Sequence, residues 1–117
     1  MSRIILSAHA KTNVSLRVLR RREDGFHDLR TRMTLLSLAD TLTVELLGPG
    51  KGLQLEIDGA DWSHRPGEEN LVQAAARVFA AHTGQPVDAH VHLEKRIPSG
   101  AGLGGGSSDA AAMLKAL

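Results

Sequence analysis

The 117 residues include no cysteine and no tyrosine, and only two phenylalanines and one tryptophan. Without cysteine, disulfides and thiolate metal sites are excluded. With aromatics at 3%, any core must be built from Leu, Val, Ile and Ala. Long apolar runs are missing too. The opening Met1 to Ser7 is too short for a signal peptide, and no stretch approaches a membrane span, so the expectation is a soluble cytoplasmic protein. Net charge is also small, with 14 basic and 13 acidic residues giving +1. Nucleic-acid binders carry a basic patch or stripe, and none stands out. Arg20 to Arg22 is followed at once by Glu23 and Asp24 and reads as a solvated hairpin tip. Neither nucleic acid nor membrane is therefore expected as a partner, and oligomeric state is left open.

What is present, 42% apolar residues, suits one modest folded domain. Ile4 to Leu6 reads as a short strand. Val14, Leu16 and Val18 alternate with Ser15 and Arg17 in a second, closed by an Asp24-Gly25 turn. Leu42, Val44 and Leu46 alternate with Thr43 and Glu45. After Gly48-Pro49-Gly50, Leu53, Leu55 and Ile57 alternate with Gln54 and Glu56, so 42–46 and 53–57 resemble an antiparallel hairpin. Gly59 to Glu68 reads as loop. Asn70 and Gln73 form a capping-box pattern ahead of a helix with Leu71, Ala75, Val78, Phe79 and His82 at helical spacing, closed by Gly84. Ala89, Val91 and Leu93 alternate with His90, His92 and Glu94. His90 and His92 share a strand face, but no third metal ligand suggests itself, and solvent exposure is expected. From Ser107 a second helix is expected, with serine as its cap and Asp109 in its first turn. No Gly, Asn or Pro follows its last apolar residues, so the expectation is that Leu117 truncates a longer protein.

The richest stretch is Pro98-Ser99-Gly100-Ala101-Gly102-Leu103-Gly104-Gly105-Gly106-Ser107-Ser108, between an expected strand and an expected helix. Glycines let backbone approach a ligand and turn several N–H groups toward one point. A helix amino-terminus adds unpaired donors and a partial positive charge, so the combination favours a phosphate chain. A flexible linker seldom lies between a strand and a capped helix. Gly100, Gly102 and Gly105 match the dinucleotide fingerprint, but the acidic ribose ligand expected about 20 residues on would fall beyond the sequence. Gly100 to Gly105 has Walker A spacing, yet Gly106 stands where lysine is required.

The segment resembles the phosphate-binding motif of GHMP kinases, Pro-x-Gly-x-Gly-Leu-Gly-Ser-Ser. Its extended form, Gly102 to Ser108, is similar to the branch of that family acting on diphosphocytidyl-methylerythritol. Three further segments resemble that branch in family order: Ala8-His9-Ala10-Lys11-Thr12-Asn13, with His9 where proline is usual; Asp24-Gly25-Phe26-His27-Asp28-Leu29, with Phe26 where tyrosine is usual; and Glu69-Asn70-Leu71. Lys11 and Asn13 are two apart and share a strand side, where lysine offsets charge and amide orients a hydroxyl. The resemblance implies Lys11 as catalytic residue, Pro98 to Ser108 with Asn70 and Leu71 as the ATP site, and Asn13, Phe26 and His27 as the substrate site. Phe26 would stack on the cytosine ring and His27 hydrogen-bond its edge, the alternative reading being that Phe26 packs in the core. Ser107 or Ser108 would hold Mg2+ through ATP.

The implied fold is α+β, of the ribosomal protein S5 domain 2-like type, with a mostly antiparallel sheet, helices on one face and a left-handed βαβ crossover. Residues 1–117 would be its amino-terminal, ATP-binding domain. The family's catalytic aspartate, in a Gly-Ala-Asp-x-Pro segment well after the glycine loop, is expected beyond Leu117, as is a carboxyl-terminal domain. Alternative readings are another family member, such as a homoserine kinase, or a non-enzymatic S5-like RNA-binding domain.

Overall fold

The computed structural model describes residues 3–59, 70–98 and 103–117. Its elements run β1 (Arg3–Arg21), β2 (His27–Leu46), β3 (Leu53–Asp58), α1 (Leu71–Thr83), β4 (Ala89–Glu94) and α2 (Gly105–Ala116). The four strands form one sheet in the order β1-β2-β4-β3. β1 and β2 are antiparallel, β2 and β4 are antiparallel, and β3 lies parallel to β4. The α+β architecture is thus as expected.

The antiparallel hairpin expected of 42–46 with 53–57 does not form, because β4 lies between those strands. The Gly48-Pro49-Gly50 segment is a wide connection that admits it. Leu47 donates its N–H to the Asp88 carbonyl, Ala89 donates to the Gly52 carbonyl, and Gly52 donates to the Asp88 carboxylate. Burial explains the order. Ala89, Val91 and Leu93 are fully buried, whereas Leu53, Leu55 and Ile57 are half-buried and suit the edge.

The core lies on one face of the sheet. Ala8, Leu42, Val44, Ala89, Val91 and Leu93 meet Val72, Ala75 and Ala76 of α1 and Ala112 and Met113 of α2. On β3 and β4 the residues of the other parity are polar. His92 bonds Asp58 at 2.6 Å and His90 faces Glu56 at 3.7 Å. These histidines keep 38% and 31% of their side-chain surface exposed, in line with the solvent exposure expected of them, and are also paired with carboxylates across parallel strands.

Helix α1 begins where its capping box placed it. Asn70 accepts from the Val72 N–H at 2.8 Å and Gln73 accepts from the Asn70 N–H at 3.1 Å. Gly84 ends it in the left-handed conformation. Its buried residues are Val72, Ala75 and Ala76, while Leu71 and Val78 are about half exposed and His82 is exposed. The expected apolar stripe was therefore rotated, because small alanines let the helix sit close to the sheet on that side. Helix α2 starts three residues earlier than a Ser107 cap would place it. Gly104, at φ 69°, is the cap rather than Ser107, and Asp109 lies beyond the first turn.

β1 and β2 continue past the core as a long hairpin, including 27–40, where the sequence pattern had suggested no strand. Its Asp24-Gly25 turn forms as expected, with Gly25 at φ 89° and Asp24 accepting from the Phe26 N–H. Among the described residues no helix is long and apolar enough to cross a membrane.

Candidate active site

The backbone N–H of Lys11 donates to the carbonyl of Leu103 at 2.8 Å, tying β1 to the glycine loop across more than ninety residues of sequence. From there three successive glycines each face a different neighbour. A Cβ on Gly104 would lie 3.1 Å from Cγ and Cε of Lys11, on Gly105 2.8 Å from Ile97, and on Gly106 3.0 Å from Leu71. Real Cβ atoms essentially never approach as closely as at Gly105, so side chains are excluded there by contact. Gly104 also has a positive φ, which β-branched residues strongly resist.

These contacts bring Lys11, Leu71, Ile97 and the first turn of α2 together. The first N–H groups of a helix have no partner within it. Gly106 and Ser107 of that turn are exposed, so it is open to a ligand. Glycines closely flanked by Lys11, Ile97 and Leu71, an open helix amino-terminus and an adjacent ammonium fit a phosphate group. Ser99, Gly100, Ala101 and Gly102 lie outside the described residues; Pro98 and Leu103 flank them, half-buried. Ser108 is turned elsewhere, lining a cleft of about 250 Å³ between β1 and α2 with Ala8, His9, Leu35 and Lys115.

The remaining candidates divide. Asn13 follows Lys11 in unbroken register, opposite Met33 as Lys11 is opposite Leu35, so the two share a side as the spacing required. Its carboxamide oxygen accepts from the Thr31 hydroxyl at 3.2 Å. The Asn70 oxygen serves the α1 cap, and Leu71 contributes its packing on Gly106. Phe26 is 73% exposed at the hairpin tip, which overturns its reading as core, and His27 beside it is exposed. The turn they occupy follows Arg21, ten residues along β1 from Lys11, a contour of about 33 Å at strand rise. The hairpin bends through three register shifts. At the first, His9 donates from Nδ1 to the Leu36 carbonyl, a bond the family's usual proline could not make.

The sequence reading missed a buried ionic cluster under the loop. Lys95 Nζ lies 2.7 Å from Asp40 Oδ2 and 2.8 Å from Asp109 Oδ2. The other oxygen of Asp40 accepts from the backbone N–H of Arg96 and of Ile97. Asp40 and Asp109 are buried and Lys95 nearly so. Burial pushes Asp109 up to about 7, helped by its hydrogen bond with Asp40 and opposed by Lys95. Burial acts the same way on Asp40, but its bonds with Asp109, Lys95, Ile97 and Arg96 outweigh it and hold that carboxyl below its ordinary value. Burial works against the Lys95 charge, yet the two carboxylates raise its pKa. One signal was available. Asp109, Ala112 and Met113 recur at helical spacing, so a single face carries an aspartate together with core residues.

Residues 70–117 match the family model for the GHMP kinases N terminal domain. The chain is 49% identical over 110 residues to a 4-diphosphocytidyl-2-C-methyl-D-erythritol kinase of Thermus thermophilus, covering 94% of this chain and 37% of the relative. It is 42% identical over 117 residues to the Paramagnetospirillum magneticum enzyme of that name, covering 100% and 40%. A crystal structure of 4-(cytidine 5'-diphospho)-2C-methyl-D-erythritol kinase superimposes with a TM-score of 0.76 at 46% identity, covering 97% of this chain and 39% of the other. A homoserine kinase from Cytophaga hutchinsonii shares the fold, with a TM-score of 0.68 at 17% identity over 97% of this chain and 33% of its own. The chain spans about two fifths of the length of the curated relatives it matches. With the glycine loop, its partner lysine and these similarities in agreement, the chain is similar to the amino-terminal part of GHMP kinases, and its residues 70–117 match that family's N-terminal domain.

Proposed function

We propose that the protein transfers the γ-phosphoryl group of ATP to the 2-hydroxyl of 4-diphosphocytidyl-2-C-methyl-D-erythritol, in non-mevalonate isoprenoid biosynthesis in the cytoplasm. The observation that carries this reading is the seat of Lys11 on the glycine loop, with its N–H on Leu103 and its stem over Gly104. The first turn of α2 would hold the phosphates by backbone N–H groups. Lys11 would meet charge developing on the transferred group, and Asn13 would orient the hydroxyl. Ser107, on the exposed side of that turn, is a better candidate than Ser108 for a phosphate-bound Mg2+, which would neutralise phosphate charge when bound. The exposed Phe26 and His27 are assigned the cytosine ring.

Residues 1–117 are, on this reading, the amino-terminal ATP-binding domain. The proton acceptor is assigned to a counterpart of the relatives' remaining length. The 117 residues alone should then bind nucleotide but turn over slowly, since general-base help is worth about 10²–10⁴ in rate.

ATP consumption by a full-length protein carrying these residues, with the diphosphocytidyl substrate and separately with homoserine, tests the reading. Turnover with the former is expected, and Lys11→Ala should lower kcat by about 10² or more with little change in either KM. Turnover with homoserine instead would reassign the substrate. Steeply salt-dependent RNA binding without nucleotide binding would make this an S5-like RNA-binding domain.

A further inference from the structure

The ionic cluster lies outside the catalytic roles just assigned, yet it touches both ends of the glycine loop. On the entry side, Asp40 of β2 fixes the backbone N–H groups of Arg96 and Ile97 at 2.6 and 2.9 Å, and the Lys95 N–H bonds the Asp58 carbonyl at 2.7 Å. On the exit side, Asp109 of α2 bonds Lys95 Nζ. Nζ lies 3.4 Å from where a Cβ on Gly105 would be, so the ammonium sits directly beneath the first turn of α2. Ile97, itself buried, closes the gap by packing on Gly105. A surface ion pair would leave the loop ends free to move apart, whereas this one ties both to β2.

We propose that Asp40, Lys95 and Asp109 are positioning residues for the phosphate site, holding the first turn of α2 against the segment after β4 so that the N–H groups of that turn face a phosphate. This rests on the reading of the loop as a phosphate site. A purely structural ion pair would need only one carboxylate, and a second one buried beside it repels the first. The Asp109 Oδ1 oxygen is buried without a hydrogen-bond partner. A proton on Asp109, shared toward Asp40, removes the repulsion, and the carboxyl titrates at about 7. The charged groups around it are Asp40 from β2, Lys95 from the segment after β4 and, over neighbouring Gly104, Lys11 from β1. Below that pH the cluster is neutral, with one ammonium and one carboxylate. Above it a second negative charge appears beneath the phosphate site, and nucleotide affinity falls.

Two variants test this by ATP titration calorimetry, about one unit either side of pH 7. Asp109→Asn is isosteric and still accepts from Lys95 but cannot gain charge. Wild-type affinity should drop about threefold or more from the acid to the alkaline side relative to Asp109→Asn, which cancels any titration of ATP itself. The double change Lys95→Met with Asp109→Leu leaves Asp40 its two backbone donors. It should weaken ATP binding about tenfold or more while leaving the KM of the alcohol substrate within about twofold. If Asp109→Asn binds ATP as the wild type does on both sides of pH 7, the cluster only holds the fold together and the proposal is overturned, whatever the double variant does. A wild-type protein that fails to bind ATP removes the phosphate reading, and this inference with it.

Discussion

The β1–β2 ladder has two halves that share one sequence pattern and meet different fates. In the lower half Leu42 and Val44 alternate with Thr41, Thr43 and Glu45, and both apolar side chains are buried. In the upper half Val14, Leu16 and Val18 alternate with polar residues just as regularly, yet they are 57–66% exposed. Helices α1 and α2 cover the lower half alone. Alternation therefore states that a segment can be a half-buried strand, while what lies across from it decides whether burial occurs. The candidate site lies at the boundary, where Lys11 leaves the covered half and meets Leu103 and Gly104.

Leu93→Ala, in the covered half, should have the largest effect, a loss of about 2–5 kcal/mol in chemical denaturation. Gly105→Val forces a side chain into Ile97 and should cost about 1–3 kcal/mol by the same measurement, at the join of the halves.

A pH series follows the ionic groups. Asp109 is raised from 3.8 to about 7, so the folded state holds a proton there that the unfolded chain releases. Stability should therefore fall as pH rises from about 4 to 7, by more than about 1 kcal/mol. His92, raised from 6.5 by its bond to Asp58, adds stability on the acid side that is lost as pH rises through its folded pKa. Asp40, lowered from 3.8, opposes both as pH drops below that value. The optimum is thus mildly acidic, and in Asp109→Asn melts the fall above pH 4 should largely vanish.

Asn70→Ala removes the α1 cap and should cost about 1 kcal/mol in a thermal melt. Leu16→Ala, in the uncovered half, should change stability by no more than about 0.5 kcal/mol. A cost near that of Leu93→Ala would mean the arm is covered in solution, and the contrast between the halves would disappear.

Much of this was legible residue by residue because the signals are local. The Asn70–Gln73 capping box, the Gly84 stop and the Asp24-Gly25 turn each depend on hydrogen bonds or φ angles within a few residues, and each formed where it was expected. Lys11 and Asn13 share a side because the strand period is two and no bulge falls between them. The motifs at Lys11 and at the glycine loop, singled out through a family resemblance, fall on segments that meet at Leu103 and Gly104.

Tertiary structure decided the rest. Which strand neighbours which depends on competition for the centre of the sheet, and β4 displaced β3 because its Ala89, Val91 and Leu93 lose the most by exposure. The α2 cap fell at Gly104, whose positive φ beside the Lys11 stem favours a residue without a Cβ. Asp40, Lys95 and Asp109 are separated by up to 69 residues of sequence, and nothing local announces their meeting. Charges of that kind are stable in a core only when folding has already brought their partners within hydrogen-bond reach.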